Sequence, residues 1–128
     1  MTKPYHAHIY YHAAERPAAA ALREAMRAAT GGDALAALHY VGELRDAPVG
    51  PHPIPQFEIH FDDPLVGAVE AAIRAAGLTA LIHPLTDDDL ADHTTLGRWI
   101  GEPVDLDLSV LDPPGHNQGV ARYGVSDF

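Results

Sequence analysis

The sequence predicts an α+β protein of the ferredoxin-like class, a β-α-β-β-α-β sandwich with an added C-terminal strand. Two observations predict this class. A strand–helix–strand pattern occurs twice in order, and 128 residues suit one domain with one hydrophobic core. We therefore expect two helices on one face of an antiparallel sheet, a single domain over residues 1–111 and a loose C-terminal tail over residues 112–128.

The first strand is predicted over residues 5–11, where apolar and polar side chains alternate. Successive side chains of a strand point to opposite faces, so His6, His8 and Tyr10 share one face. The other face is apolar and goes to the core. It carries Tyr5, Ala7, Ile9 and Tyr11.

The first helix is predicted over residues 16–30, an Ala-rich stretch with apolar residues at helical spacing. Pro17 suits its first turn. A second strand is predicted within residues 34–45. The prolines that follow exclude regular structure, so His52 is expected in a stiff loop over residues 50–53.

The second strand–helix–strand unit begins with a strand over residues 56–61, in which Glu58 and His60 alternate with buried aromatic and aliphatic residues. A helix over residues 62–77 follows, with an acidic start and a glycine stop. Residues 78–83 are predicted to form the fourth strand. Beyond them we expect a short helix over residues 88–99 and a fifth strand over residues 104–111.

Composition excludes several functions. The chain has no cysteine, so any metal must be bound by nitrogen and oxygen atoms. A formal net charge of −10 disfavours a nucleic-acid partner. No stretch has the length and apolar character of a membrane span or a signal peptide, so we expect no membrane association and a cytoplasmic location.

The helices of such a sheet shield one face only, so the second face must meet solvent, a ligand or a partner subunit. Here that face carries several histidines and a carboxylate. Such side chains favour a site that binds a metal or performs acid/base chemistry. Each histidine taken alone is more often an ordinary surface or interface residue. His12, His39 and His116 have no partner at an informative spacing and are assigned no role.

Five segments spanning residues 5–111 resemble, in order, the DOPA 4,5-dioxygenase family. The resemblance implies a small ferredoxin-like subunit, a homodimer, that uses non-haem Fe(II) and O₂ to open a catechol ring such as that of DOPA. Isolated protein could instead hold another divalent metal such as zinc. The segments are Tyr5-His6-Ala7-His8-Ile9-Tyr10, Leu22-Arg23-Glu24, Gly50-Pro51-His52-Pro53, Leu81-Ile82-His83-Pro84 and Asp92-His93-Thr94 with Trp99-Ile100-Gly101.

The extradiol reaction that this resemblance implies leaves about three metal positions for protein ligands, because the catecholate and dioxygen occupy the others. Among the family-matching histidines, we assign His8, His52 and His83 as ligands. Glu58 is the alternative ligand, since its side chain shares the same sheet face.

The remaining candidates have roles around the metal. His6 and His93 are the predicted acid/base groups, because an unligated imidazole titrates near neutral pH. Tyr10 is predicted to donate a hydrogen bond to substrate or oxygen. Arg23 or Arg98 is predicted to pair with a substrate carboxylate.

Two rival functions use the same fold. One is a zinc-dependent hydrolase or isomerase, since zinc accepts the same ligands. The other is a non-catalytic ligand-binding module, because ferredoxin-like folds host many functions.

Overall fold

A computed structural model describes residues 2–126. The two strand–helix–strand units form where the sequence patterns place them, and a proline-rich connection over residues 42–55 joins them. The five strands and four α-helices are β1 (Pro4–Tyr10), α1 (Arg16–Ala28), β2 (Tyr40–Val41), β3 (Gln56–Asp62), α2 (Val66–Ala76), β4 (Thr79–Pro84), α3 (Asp89–His93), β5 (Arg98–Ile100) and α4 (Gln118–Ala121).

The strands form one antiparallel sheet in the order β2-β3-β1-β4-β5. Strand β1 lies in the centre, between β3 and β4, as the duplicated strand–helix–strand plan requires. The predicted fold class is confirmed. No helix within residues 2–126 combines the length and apolar character needed to cross a membrane.

Helices α1 and α2 cover the apolar face of the sheet. Leu22 and Met26 of α1, with Val69 and Ile73 of α2, pack against buried residues of the central strands. Burying one such aliphatic side chain contributes about 1.5–3 kcal/mol. Helix α2 ends at Gly77, whose φ of 72° is the left-handed conformation that glycine adopts without strain. This core fixes β1, and with it the direction of the polar side chains on the opposite face.

Two predicted elements after β4 are wrong. The helix expected over residues 88–99 is α3, which ends at His93, and the same stretch supplies the fifth strand, β5. Residues 104–111 alternate but form no strand, since β5 already occupies the free edge of β4. They include a short 3-10 helix, Leu108–Val110.

The segment expected to be a loose tail makes specific contacts over residues 117–124. The Asn117 side chain donates to the carbonyl of Thr86 (2.7 Å), and the Tyr123 hydroxyl donates to Asp62 (2.7 Å). This segment and other irregular segments bury the polar face of the sheet, so that face encloses a cavity instead of lying open.

Candidate metal centre

Strand register places three histidines in one row across the sheet. His6 of β1 lies opposite His60 of β3 on one side and His83 of β4 on the other. His8 lies two residues along on the same face, opposite Glu58. All five side chains are buried. The spacing of histidines in the sequence therefore becomes a cluster of imidazoles inside the protein.

Two more histidines reach this cluster from outside the sheet. His52, in the proline-rich loop, has its ring centroid 4.1 Å from that of His8. His93, at the end of α3, has its ring 4.2 Å from that of His83. The structure thus brings together the five histidines predicted from the sequence, together with His60.

Hydrogen bonds define which nitrogens of His8 and His83 carry protons. The Nδ1–H of His8 donates to Gln56 Oε1 (3.2 Å), and the Nδ1–H of His83 donates to the Pro84 carbonyl (2.8 Å). In a neutral imidazole the other nitrogen then holds a lone pair. The two Nε2 atoms face each other at 3.0 Å. Two lone pairs at this distance repel unless a cation lies between or beside them.

His6 completes a set of three ligands. One ring nitrogen each of His6, His8 and His83 lies within 4.8 Å of the other two. Within residues 2–126, His6 Nε2 has no hydrogen-bond partner although it is buried. Three neutral imidazoles suit a first-row divalent metal such as iron or zinc. The donor set therefore fits the metal that the sequence predicted.

Burial also keeps these three histidines in the form that binds metal. Desolvation lowers the pKa of His6, His8 and His83 well below the ordinary value of 6.5, and repulsion from neighbouring imidazoles lowers each pKa further. The rings are consequently neutral at physiological pH, with no proton to be displaced by a metal.

A second group of possible ligands, His6 with Glu58 and His60, has a less suitable geometry. The His6 and His60 rings stack in parallel, 3.7 Å apart with 13° between planes, so their in-plane lone pairs do not converge on one ion. His60 Nδ1 accepts the Gly124 N–H (2.9 Å), which places the proton of neutral His60 on Nε2, 3.5 Å from Glu58. Glu58 thus lies with His60 and outside the three-histidine set.

His52 and Tyr10 form a buried pair beside His8. The Tyr10 hydroxyl lies 2.7 Å from His52 Nδ1. Burial raises the pKa of Tyr10, so its hydroxyl stays protonated and donates this bond. Burial, together with His93, lowers the pKa of His52 to about 3. The geometry places His52 next to the three-histidine set but not in it, whereas His6, predicted as an acid/base group, lies within the set.

His93 is held by an acidic partner. Its Nδ1–H donates to the Asp89 carbonyl (2.8 Å), and the Asp89 carboxylate lies 3.3 Å from the same nitrogen. Burial lowers the pKa of His93, but the hydrogen bonds and charge of Asp89 outweigh burial, so the pKa lies above 6.5. The environment of His93 therefore favours the protonated ring as well as the neutral one.

Neither arginine predicted to bind substrate lies at the cluster. Arg23 Nε donates to the Gly42 carbonyl (2.6 Å), on the side of the sheet that α1 covers. Arg98 Nη2 donates to Glu70 of α2 (2.7 Å). Both guanidinium groups are engaged on the helix side, so the structure does not bring either residue to the histidine cluster.

A cavity of about 210 Å³ opens above His6, His8 and His83. Sequence reasoning missed much of its wall, because that wall comes from the segment interpreted as a tail. The missed residues of that segment include Asp112, Asn117, Gln118 and Arg122, and Asp89 of α3 was missed as well. No periodicity marks them, and their proximity to the histidines arises from long-range hydrogen bonds.

The fold and the site define a small ferredoxin-like protein with a buried three-histidine centre beneath a cavity. The sequence profile of the DOPA 4,5-dioxygenase family matches residues 5–110, and the chain belongs to this family.

Two individual proteins are similar to this chain in sequence. The chain is 35% identical to the DOPA 4,5-dioxygenase of Amanita muscaria, with 85% of this chain and 50% of that protein covered. It is 37% identical to an uncharacterised 21.2 kDa protein of Botryotinia fuckeliana, over 52% of this chain and 42% of that protein. The chain thus spans about half the length of the curated relatives it matches, or less.

A solved structure shows the same fold. The crystal structure of a candidate dioxygenase from Nostoc punctiforme superposes with a TM-score of 0.70 and 29% sequence identity, covering 85% of this chain and 90% of that one.

Proposed function

We propose that this chain is an extradiol ring-cleaving dioxygenase that acts on a catechol such as DOPA, with Fe(II) bound by His6, His8 and His83. The observation that carries the proposal is the pair of Nε2 lone pairs facing each other at 3.0 Å beneath a cavity. The name of the Amanita muscaria relative supports the substrate class. Bound Fe(II) would supply coordination positions for the two catechol oxygens and for dioxygen.

His93 acts as the base for the catechol hydroxyl in this proposal. Its Nδ1–H is held by Asp89, so its Nε2 has the lone pair that accepts a proton. Asp89 then stabilises the imidazolium that results. His93 also lines the cavity, as a group that exchanges a proton with substrate must.

Tyr10 and His52 are positioning residues. Within residues 2–126 neither lies in the cavity wall, but the His52 ring packs against His8. The hydrogen bond from the Tyr10 hydroxyl fixes the orientation of the His52 ring, and the packing limits rotation of His8. A metal-binding imidazole is thereby held ready for its ion.

The apolar part of the cavity wall orients the substrate ring. Leu85, Val110 and Leu111 line the cavity together with the histidines. Apolar side chains next to polar ligands favour an aromatic ring with hydroxyl groups at one end. They also exclude water from the reacting oxygens.

Anaerobic loading with Fe(II), followed by a catechol and then air, tests the proposal. We expect oxygen uptake and a yellow ring-opened product. Protein loaded with Zn²⁺ is the matched control, because zinc fits the same nitrogens without redox chemistry. If iron-loaded protein leaves DOPA and simple catechols unchanged, the proposal fails. Turnover of another substrate by the zinc form without oxygen would favour a hydrolase or isomerase.

Three further expectations from the sequence are retained as proposals. The chain is a homodimer, it is cytoplasmic, and residues 1–111 form its dioxygenase-type domain, followed by the C-terminal segment 112–128. Light scattering coupled to size-exclusion chromatography tests the dimer, since a monomeric mass at working concentration would contradict it.

A further inference from the structure

The rings of His8 and His83 are each oriented by a hydrogen bond. Their Nδ1–H groups donate to oxygen acceptors, at 3.2 Å and 2.8 Å respectively. Metal-binding imidazoles are commonly held by such a second contact. Within residues 2–126, no hydrogen bond at a ring nitrogen of His6 is present. The orientation of the His6 ring therefore depends on packing.

The His60 ring lies flat against the His6 ring. The two residues face each other across β1 and β3, and their ring centroids are 3.7 Å apart with 13° between the planes. On the other side of His6, the His83 ring is farther away, at 5.5 Å, and is inclined by 63°. Rotation of the His6 ring about its Cβ–Cγ bond would drive its edge into His60, so the parallel stack limits that rotation.

The His60 ring is itself fixed by its surroundings. Its Nδ1 accepts the Gly124 N–H (2.9 Å), and its Nε2 lies 3.5 Å from Glu58 Oε2. The Tyr40 ring packs against it, with the ring centroids 4.7 Å apart. The whole residue is buried. His60 therefore presents a plane of fixed orientation to the His6 ring.

We propose that His60 is a positioning residue of the metal centre, whose ring holds the His6 imidazole in the plane that lets a ring nitrogen face the other two ligands. That nitrogen lies within 4.8 Å of the ligand atoms of His8 and His83. This inference rests on the proposed function and deepens it, since it adds a residue that acts on the metal through a ligand. Because the Gly124 N–H orients His60, the C-terminal segment also contributes to the metal centre.

Titration of metal-free protein with Co²⁺ tests this inference without turnover, because cobalt takes the same nitrogen ligands and its visible absorption reports their geometry. His60→Asn keeps an acceptor for the Gly124 N–H and removes the ring. We expect it to bind Co²⁺ about tenfold or more weakly and to shift the visible band of bound cobalt. His60→Phe keeps a flat ring and loses the acceptor. It should bind Co²⁺ within about threefold of the unsubstituted protein, with an unshifted band.

Val69→Ala is the matched control for lost stability, because Val69 lies in the core on the helix side of the sheet. It should lower the free energy of unfolding in urea and leave the cobalt affinity and the visible band unchanged.

The outcomes separate this inference from the proposed function. If His60→Asn binds cobalt as the unsubstituted protein does, or if His60→Phe loses affinity as His60→Asn does, the role of His60 is overturned while the metal centre stands. If the unsubstituted protein binds no cobalt, the proposed function fails and this inference fails with it. If cobalt binding follows the expected pattern and iron-loaded protein opens no catechol, the proposed reaction fails while the role of His60 stands.

Discussion

The Nε2 atoms of His8 and His83 lie 3.0 Å apart on neighbouring strands, and each ring donates its other N–H to an oxygen. Neither nitrogen of this pair can then donate to the other while both rings are neutral. The arrangement is costly for the protein without a cation and favourable with one, so the pair supports the proposed metal centre and predicts how it should behave.

Alanine substitution should separate metal-binding histidines from their neighbours. We expect His6→Ala, His8→Ala and His83→Ala to reduce bound iron from about one ion per chain to less than about a tenth. His52→Ala should retain the ion, because His52 lies beside the set. Metal content is measured by mass spectrometry after reconstitution and gel filtration.

An exposed histidine provides the control for that series. His116→Ala should bind iron as the unsubstituted protein does, since His116 lies outside the cluster on an exposed turn. Equal iron in His6→Ala and the control would contradict the assignment. Loss of iron from His52→Ala would restore the ligand set predicted from the sequence.

Stability of the metal-free protein should fall as the pH falls below about 6.5. Four buried histidines have lowered pKa values in the folded state, so below 6.5 the unfolded chain binds more protons than the folded one. Each contributes to the loss between 6.5 and its folded pKa, which for His52 is about 3, and a single independent group contributes at most about 1.4 kcal/mol per pH unit. The raised pKa of His93 stabilises the folded protein as the pH falls, but this is one group against four that destabilise it.

Urea unfolding at a series of pH values measures this effect. We expect the free energy of unfolding to be nearly level above pH 7 and to drop between pH 6.5 and pH 5. His52→Gln should have a shallower slope because one titrating group is removed. A free energy that does not change between pH 7 and pH 5 would show that the histidines are not buried in the neutral form.

Asp89→Asn should move the acidic limb of the pH–rate profile to lower pH. The base must be neutral to accept a proton, and Asp89 raises the pKa of His93 above 6.5, so activity is lost as the pH falls through that raised value. Removing the charge lowers the pKa of His93. The measurement is kcat/KM against pH with iron-loaded protein. Asp87→Asn, an exposed neighbour, is the control, and an unmoved limb in Asp89→Asn would exclude His93 as the base.

Much of the fold could be predicted because the alternation in β1 and β3 and the helical spacing in α1 and α2 are local signals. Residues 104–111 alternate as well, yet they form no strand. A strand needs an edge to pair with, and alternation does not reveal whether that edge is taken. Here β5 pairs with the free edge of β4. Strand β5 begins at Arg98, within the residues that were predicted to continue a helix.

The sequence indicated the histidines that the structure brings together, but not their proton positions or the rest of the cavity wall. Spacing placed His6 and His8 on one face, but the protonated nitrogen of each ring depends on distant partners such as Gln56, which no spacing reveals. Arg98 was chosen by residue type alone, and its side chain lies on the helix side. Arg122 was overlooked because it lies in a segment without periodicity.

Tyr123→Phe should loosen the C-terminal segment without unfolding the protein. The Tyr123 hydroxyl donates to Asp62 (2.7 Å), next to the bond between the Gly124 N–H and His60. Loss of that hydroxyl costs about 1 kcal/mol, and most of the cost should fall on local opening of the segment. Hydrogen exchange at the Gly124 amide should therefore accelerate about fivefold, while exchange in the central strands is unchanged. Tyr5→Phe, which removes a hydroxyl on the helix side, is the control and should leave the Gly124 amide as protected as in the unsubstituted protein. If Tyr123→Phe also leaves this protection unchanged, Tyr123 does not anchor this wall of the cavity.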